Sequence, residues 1–278
     1  MGQAGLVAPE AEAAQIRLYL AQRRLTWPRL SLGLLALAAA LVLGLAVGPA
    51  NIPLSDTVRI LLSHLPGVHL SDSMPAAWDD IIWQVRLPRV LTAGLVGATL
   101  AMSGVTYQGV FRNPLAEPYL IGVAAGAALG ATIVIVSPLH YAFGGFSILP
   151  LAAFAGGLSA VAVTYAIARV GSSVPMVTLV LAGVAVSSLA TSLTSLLMIL
   201  ETNRILTILS WTLGGFNLSS WDRLLWALPY ILPAMAVILV FGRSLNVLQL
   251  DEDQAQQVGL EVERTRLLLL AASSLAAA

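Results

Sequence analysis

The chain has 278 residues, of which 58% are hydrophobic and only 10% are charged, and its formal net charge is zero. A soluble domain carries about 25% charged residues, so this composition indicates helices that face lipid. Neutrality argues against a nucleic-acid partner. The absence of cysteine excludes disulfides, thiol catalysis and iron–sulfur or zinc–cysteine sites.

Six apolar segments are predicted to cross a membrane, since a span needs about 20 residues. They cover about 30–47, 87–108, 119–136, 148–168, 176–200 and 224–241. A seventh begins at Leu267 and is too short to span before Ala278. Residues 1–29 lack the pattern of a cleavable signal and are predicted to form a cytoplasmic or membrane-surface leader, with 30–278 as the transmembrane domain.

The arginine distribution predicts the orientation of the chain. Six crossings place nine of the 14 basic residues, all of which are arginine, on the side of the N-terminus. Because cytoplasmic loops are enriched in basic residues, the N-terminus is predicted to be cytoplasmic.

No Asp, Glu, Arg or His lies in the interior of any of the six segments. A charge at the bilayer centre costs about 2.5–3.5 kcal/mol, and those that occur usually belong to ion or proton relays. Their absence argues against an ion-coupled carrier. No phosphate-binding GxxxxGK[ST] sequence occurs either, so ATP hydrolysis is expected on another chain.

Glycines recur at helical spacing in two segments. Gly97 and Gly104 lie in the second, and Gly122, Gly126 and Gly130 follow every four residues in the third. Small residues at this spacing allow helix backbones to approach closely in lipid. All five glycines are predicted to be helix-packing positions.

A polar corner, RNPLAEP at 112–118, separates the second and third segments. Pro114 and Pro118 disfavour helix at the residues before them, which predicts a fixed break. Asn113 is predicted to bond the backbone groups exposed there.

The ordered motifs around this corner carry a family resemblance. They are RLPR at 86–89, GATLAMSG at 97–104, Gln108, the corner and the glycine ladder. Together they resemble the FecCD-type permeases, the membrane subunits of ABC importers for iron-siderophores, haem and vitamin B12. The resemblance covers about 86–266.

The resemblance implies an all-α polytopic bundle of the type II ABC importer permease kind. It also implies alternating access by a homodimer, or a pair with a related permease, in the inner membrane. Two ATPase subunits would hold ATP and Mg, and an extracytoplasmic binding protein would deliver the substrate. The chain itself would be no enzyme and bind no cofactor or metal. Members usually continue for several more helices, so the chain is expected to be truncated within helix seven.

The stretch 245–260 is polar enough to be a simple connector, but its pattern also suits a short amphipathic helix that docks on a partner. It resembles the family's ATPase-coupling loop. That resemblance implies a coupling role for the residues Asp251, Glu252, Ala255, Val258, Gly259 and Leu260.

Arg86 and Arg89 flank Pro88 at the mouth of the second segment. Arginines at a membrane end commonly contact lipid headgroups. In the resembled family, arginines at these positions receive acidic residues of the binding protein, which makes both residues docking candidates.

The fifth segment is rich in hydroxyl residues, and Ser187, Thr191 and Ser195 share one face. Such residues often serve helix packing. The resemblance implies instead that they line the translocation pathway, together with a short helix over about 204–213.

Two other function classes remain open from the residues alone. A structural or assembly membrane protein would use the glycine ladders for packing, and an ion-coupled carrier would need no ATPase. The three histidines (His64, His69 and His140) are spread over loops and predict no metal site.

Overall fold

The computed structural model describes residues 27–66, 75–138, 142–143, 146–171, 174–249 and 252–277. Within these residues the protein is a helical bundle, as predicted. Its chain divides into two compact units, residues 1–82 and 83–278. Five helical stretches are long and apolar enough to cross a membrane. They are Trp27–Ala46, Ala77–Phe111, Leu149–Ala168, Val177–Leu200 and Trp221–Val240.

Among the described residues of the first unit there are three helices, α1 (Trp27–Ala46), α2 (Leu54–Ser63) and α3 (Ala76–Asp80). No residue of α1 is buried, as suits an apolar helix whose solvent is lipid. A small core forms where Ile52, Ile60 and Ile82 meet. A π-helical segment, Ile81–Arg86, follows α3.

The second unit holds most of the bundle. Its helices are α4 (Leu87–Phe111), α5 (Val123–Val136), α6 (Leu149–Ala168), α7 (Met176–Leu200), α8 (Ile205–Leu213), α9 (Trp221–Val240), α10 (Gly242–Val247), α11 (Glu252–Gln257) and α12 (Val262–Ala277). Between α5 and α6, the two-residue strands β1 (Ala142–Phe143) and β2 (Phe146–Ser147) pair antiparallel.

Most predicted segments match these helices within a few residues, and α7 agrees at both ends. Helix α12 corresponds to the seventh predicted segment. It begins at Val262, five residues before the predicted start at Leu267. Arg266 therefore lies inside the helix rather than in the preceding loop, and it is buried.

The third predicted segment is not one continuous helix. A 3-10 turn (Pro118–Ile121) ends at Gly122, whose φ of 88° is readily adopted only by glycine, and α5 begins after it. With 14 residues, α5 is about 21 Å long, which is less than the roughly 30 Å hydrocarbon core. The prediction of a full span here is wrong, because Gly122 redirects the chain.

The contact between α5 and α6 is a close approach of backbones. A Cβ at Gly126 would lie 2.5 Å from both the Gly156 carbonyl oxygen and the Ala160 Cβ, and one at Gly130 would collide with the Ala152 carbonyl. The three glycines therefore permit a contact that any larger residue would prevent.

Gly97 and Gly104 differ from this expectation. A Cβ at either position would meet no atom within 4 Å among the described residues. Gly97 lies on an exposed face of α4, and Gly104 is only partly buried. The close packing predicted at these two glycines is therefore not made within the described chain.

Helix α12 packs against α4, α9 and α6. Its residues Leu269 and Leu270 belong to the largest hydrophobic cluster, which also contains Tyr107 of α4. A smaller cluster joins Ala272 and Ala276 of α12 to α9. Helix α12 is thus central to the observed packing.

We expect Gly126→Ala to destabilise the protein by about 1–3 kcal/mol, because the added methyl overpacks the α5–α6 contact. The matched change Gly97→Ala adds a methyl in open space and improves helix propensity, so it should be neutral or stabilise by up to about 1 kcal/mol. Thermal unfolding of the detergent-solubilised protein, followed by circular dichroism, measures both. Equal midpoints for the two variants would contradict the contact.

Candidate functional site

The corner end of the bundle is where residues 112–118 and 242–262 meet. Here the short helix α11 is anchored by Ala255, which is 0% exposed and belongs to the main hydrophobic cluster. Leu260 packs partly against the same cluster. The loop predicted to couple to an ATPase is thus seated on the bundle by its apolar side chains.

The C-terminus of α4 holds the first half of this loop. Arg112 ends α4 in the left-handed region and donates from Nε to the Leu248 carbonyl at 2.8 Å. A Cβ at Gly109 would lie 2.7 Å from Leu245 Cδ1, so α10 rests directly on the α4 backbone.

The second half of the loop is held by α6 and α12. Tyr165 of α6 donates its hydroxyl to Glu263 Oε2 at 3.1 Å. Glu263 also accepts from Arg266 Nη1 at 3.3 Å, and the Arg266 side chain is buried. Because Glu263 lies in the first turn of α12, these bonds fix the helix that follows the loop, and with it the end of the loop, to α6.

The corner itself is satisfied by its own asparagine. Asn113 Oδ1 accepts from the Leu115 amide at 2.9 Å, and its carbonyl accepts from the Ala116 amide at 3.0 Å. This confirms the structural role predicted for Asn113.

The predicted coupling residues divide into two sets. Val258 is 70% exposed and Gly259 is also exposed, so both are accessible to a partner. The direct ATPase contact predicted for Ala255 is wrong, since helix periodicity turns this residue into the chain's own core. Leu260 also faces partly inward. Asp251 lies outside the described residues, and of Glu252 only the backbone, which begins α11, is described.

Helices α4 and α12 share a buried polar seam that the sequence did not reveal. Ser103 donates to the Ser273 carbonyl at 3.0 Å, and the Tyr107 hydroxyl lies 2.8 Å from Ser274 Oγ. Ser274 gives its only proton to the Leu270 carbonyl, so Tyr107 must be the donor to Ser274. Such interhelical bonds supply association energy that apolar contact does not supply in lipid.

The opposite end of the bundle is where residues 83–89 and 201–221 meet, and it contains the predicted docking arginines. Arg86 is only 6% exposed. Its side chain is therefore largely shielded from solvent within the described residues, and the docking role of Arg86 stays a prediction. Arg89 is half-buried and donates to the carbonyls of Phe216 and Asn217.

The tryptophans at this end bind one another. Trp221 donates from Nε1 to the Trp83 carbonyl at 2.9 Å, and the two ring centroids are 5.7 Å apart. Trp221 therefore fixes the start of α9 against the segment that precedes α4. A role as a membrane-interface anchor alone does not account for this geometry.

The short helix α8, predicted over 204–213 and observed over Ile205–Leu213, rests on α5. Trp211 packs against three alanines of α5 and α6, which are Ala127, Ala131 and Ala153. Arg204 donates to the carbonyl of Ile135 at the C-terminus of α5, where the helix dipole favours a positive charge. The small size of the three alanines is the sequence signal that could have indicated this contact.

The hydroxyl residues predicted to share one face of α7 have different surroundings along the helix. A Cβ at Gly122 would lie 3.5 Å from Ser187 Oγ, so Ser187 sits against the break before α5. Thr191 and Ser195 are exposed. Ser195 donates back to the Thr191 carbonyl at 2.9 Å, which masks part of its polarity. The three residues thus do not form one uniform surface.

Among the described residues, no three His, Cys, Asp or Glu side chains are grouped to hold a metal. The arrangement at either end consists of anchored loops and helix contacts.

Comparison with known proteins decides the family. The profile of the FecCD transport family matches residues 35–278. The chain belongs to the FecCD transport family. Proteins of this family are membrane-embedded transport permeases and not enzymes.

Two characterised relatives illustrate the family. The cobalamin import permease of Halobacterium salinarum is 36% identical over 257 residues, covering 90% of this chain and 69% of the relative. The hemin transport permease of Yersinia pestis is 37% identical over 258 residues, covering 89% of this chain and 72% of the relative.

A solved structure shares the fold. It is an ABC transporter assigned to the metal-chelate type, in an inward-facing conformation, and it superposes with a TM-score of 0.69 at 31% identity. The match covers 90% of this chain and 74% of that one. The all-helical membrane bundle predicted from the motifs is confirmed by this likeness to an ABC transporter.

We expect Ala255→Leu to detach α11, because no space surrounds a residue that is 0% exposed. Overpacking of this kind costs about 1–3 kcal/mol. The matched change Gln256→Leu on the exposed side of α11 should alter stability by less than about 0.5 kcal/mol. Amide hydrogen exchange over 252–260 reports the detachment. Equal protection in both variants would contradict the anchoring of α11.

Proposed function

We propose that this chain is the permease subunit of a binding-protein-dependent ABC importer for a large metal chelate. The observation that carries the proposal is the FecCD match over residues 35–278. The cobalamin and hemin permeases among its relatives favour an iron-siderophore, haem or cobalamin as cargo.

Energy enters from a different chain in this proposal. The chain has no lysine-containing phosphate loop and no Asp, Glu, Arg or His in the interior of its predicted spans. Two cytoplasmic ATPase subunits therefore bind ATP and Mg, while this chain binds no cofactor. The permease acts as a homodimer, or with a related permease, and alternates between inward and outward access.

The ATPase acts on the permease through α11 and the turn after it. Val258 and Gly259 are exposed beside a helix whose other side is buried. A force on this exposed edge reaches α4 through Arg112 and reaches α6 through Glu263. The buried anchor at Ala255 makes the loop a rigid lever rather than a loose connector.

The passage runs beside α7, where Thr191 and Ser195 are exposed. Hydroxyl groups without charge contact a polar cargo weakly, which suits a path that must release what it carries. Ser187 lines the path where α7 meets the break at Gly122.

Substrate arrives on an extracytoplasmic binding protein that docks at the end carrying Arg89. Arg89 is half-buried but retains guanidinium protons beyond the two that bond carbonyls. Arg86, being buried, supports this surface from within. Exposed arginine–carboxylate pairs are weak, about 0–1 kcal/mol each, so they set register and association rate.

The protein lies in the inner membrane with its N-terminus cytoplasmic, in this proposal. The bias of nine arginines against five supports that orientation. The count still holds because α5, although short, carries the chain from the corner at 112–118 to the opposite end, where Arg204 bonds the Ile135 carbonyl. Residues 1–29 form the leader, and the permease domain is 30–278.

We expect uptake of labelled cobalamin, hemin or ferric siderophore by proteoliposomes that hold this chain with the ATPase and binding protein encoded beside it. Uptake should need internal ATP and persist when an uncoupler removes the proton gradient. Collapse with the uncoupler at constant ATP would identify an ion-coupled carrier instead. Partner assembly without uptake of any cargo would favour a structural protein.

We expect Val258→Asp to weaken binding of the ATPase subunit about tenfold. The reason is that burying a charge in an apolar contact costs roughly 1 kcal/mol or more. Leu115→Asp, on an 84% exposed residue of the corner at the same end, is the control and should bind normally. Co-purification of the ATPase subunit with each variant measures this. Equal retention would remove Val258 from the interface.

A further inference from the structure

The loop from Gly214 to Ser220 joins α8 to α9 and is held at its middle by one side chain. Arg89 donates from Nε to the Phe216 carbonyl at 3.2 Å and from Nη2 to the Asn217 carbonyl at 3.4 Å. These two bonds connect the N-terminal turn of α4 to a loop 127 residues later in the chain.

The two ends of this loop differ in freedom. Gly214 has φ 69° and ψ −172°, and Gly215 has φ 147°, a conformation essentially restricted to glycine. At the other end, Trp221 is fixed to Trp83. The loop thus has a glycine hinge next to α8, a fixed end at α9, and Arg89 between them.

The two hydrogen bonds from Arg89 to the loop are weak enough for a stronger acceptor to replace them. Their acceptors are neutral carbonyls, and their lengths exceed the usual 2.9–3.0 Å. A carboxylate forms shorter, charge-assisted bonds to a guanidinium that are about twice as strong. The surrounding loop residues Phe216 and Leu218 are exposed, so a protein surface can approach Arg89 there.

We propose that Arg89 is a latch that a carboxylate opens. In the undocked permease Arg89 holds the loop closed. When an acidic side chain of the docked binding protein pairs with the Arg89 guanidinium, the two hydrogen bonds from Arg89 to the loop break. The loop is then free to move about Gly214 and Gly215. Because α8 continues directly into this loop, docking loosens the helix that carries Trp211. The identity of the partner rests on the docking role proposed above, whereas the latch geometry does not.

A spin label tests the latch directly, because the chain has no cysteine and Leu218→Cys supplies a single attachment site. In nanodiscs, adding Arg89→Gln should raise the ratio of mobile to immobile label about tenfold, the shift expected for losing hydrogen bonds of ordinary strength. Arg59→Gln, which removes an exposed arginine that pairs with Asp56, is the matched control and should leave the spectrum unchanged. An unchanged spectrum in Arg89→Gln overturns the latch.

A hexaglutamate peptide serves as the carboxylate probe, with hexaglutamine as the uncharged control. Hexaglutamate should mobilise the label in the otherwise native chain and have no effect in Arg89→Gln, where the loop is already free. Equal effects of both peptides, or immobilisation by hexaglutamate, overturn the exchange of partners. Neither spin-label measurement needs an ATPase or a binding protein. A failed uptake experiment would therefore refute the proposed function, whereas the latch would still be judged by the spin-label spectra alone.

Discussion

The bundle depends on satisfying an irregular stretch of backbone where water is absent. Between the 3-10 turn and α5 the chain turns at Gly122, and the Ile121 carbonyl there has no helical partner. Thr164 of α6 donates its hydroxyl to that carbonyl at 3.1 Å. On the other side, Gly183 of α7 allows the Leu120 backbone to approach so closely that any Cβ would collide with it. Broken helices persist at membrane depth only where protein supplies such partners.

This break also determines where the functional elements lie. Because α5 packs against both α6 and α7, its position is fixed, and its alanines Ala127 and Ala131 then offer a surface to Trp211 of α8. The passage proposed beside α7 and the loop held by Arg89 both follow from that placement. At the corner end the same logic applies to α11, whose burial at Ala255 joins the coupling loop to the core.

Periodicity and motif order were sufficient to predict the helices, because apolar length alone determines what can span lipid. The ends of α7 were predicted for this reason. The role of Asn113 was predicted from the break that Pro114 and Pro118 impose on the corner. Three features required the structure. Both Gly97 and Gly126 recur with other glycines at helical spacing, yet only Gly126 has a neighbouring backbone. A short amphipathic helix does not reveal which of its faces is buried against the bundle, so the burial of Ala255 was not predicted. The burial of Arg86 depends on contacts distant in sequence.

The length of α5 has a consequence for how the protein experiences its bilayer. Its roughly 21 Å falls short of the hydrocarbon thickness, whereas the 25 residues of α7 reach about 37 Å. A thinner membrane therefore creates hydrophobic mismatch at the long helices, which must tilt to keep their apolar residues in lipid. Helix α5 is too short to span the hydrocarbon core by itself, and it packs against α6 and α7. Membrane thickness thus acts on the long helices first and reaches α5 through its contacts with α6 and α7.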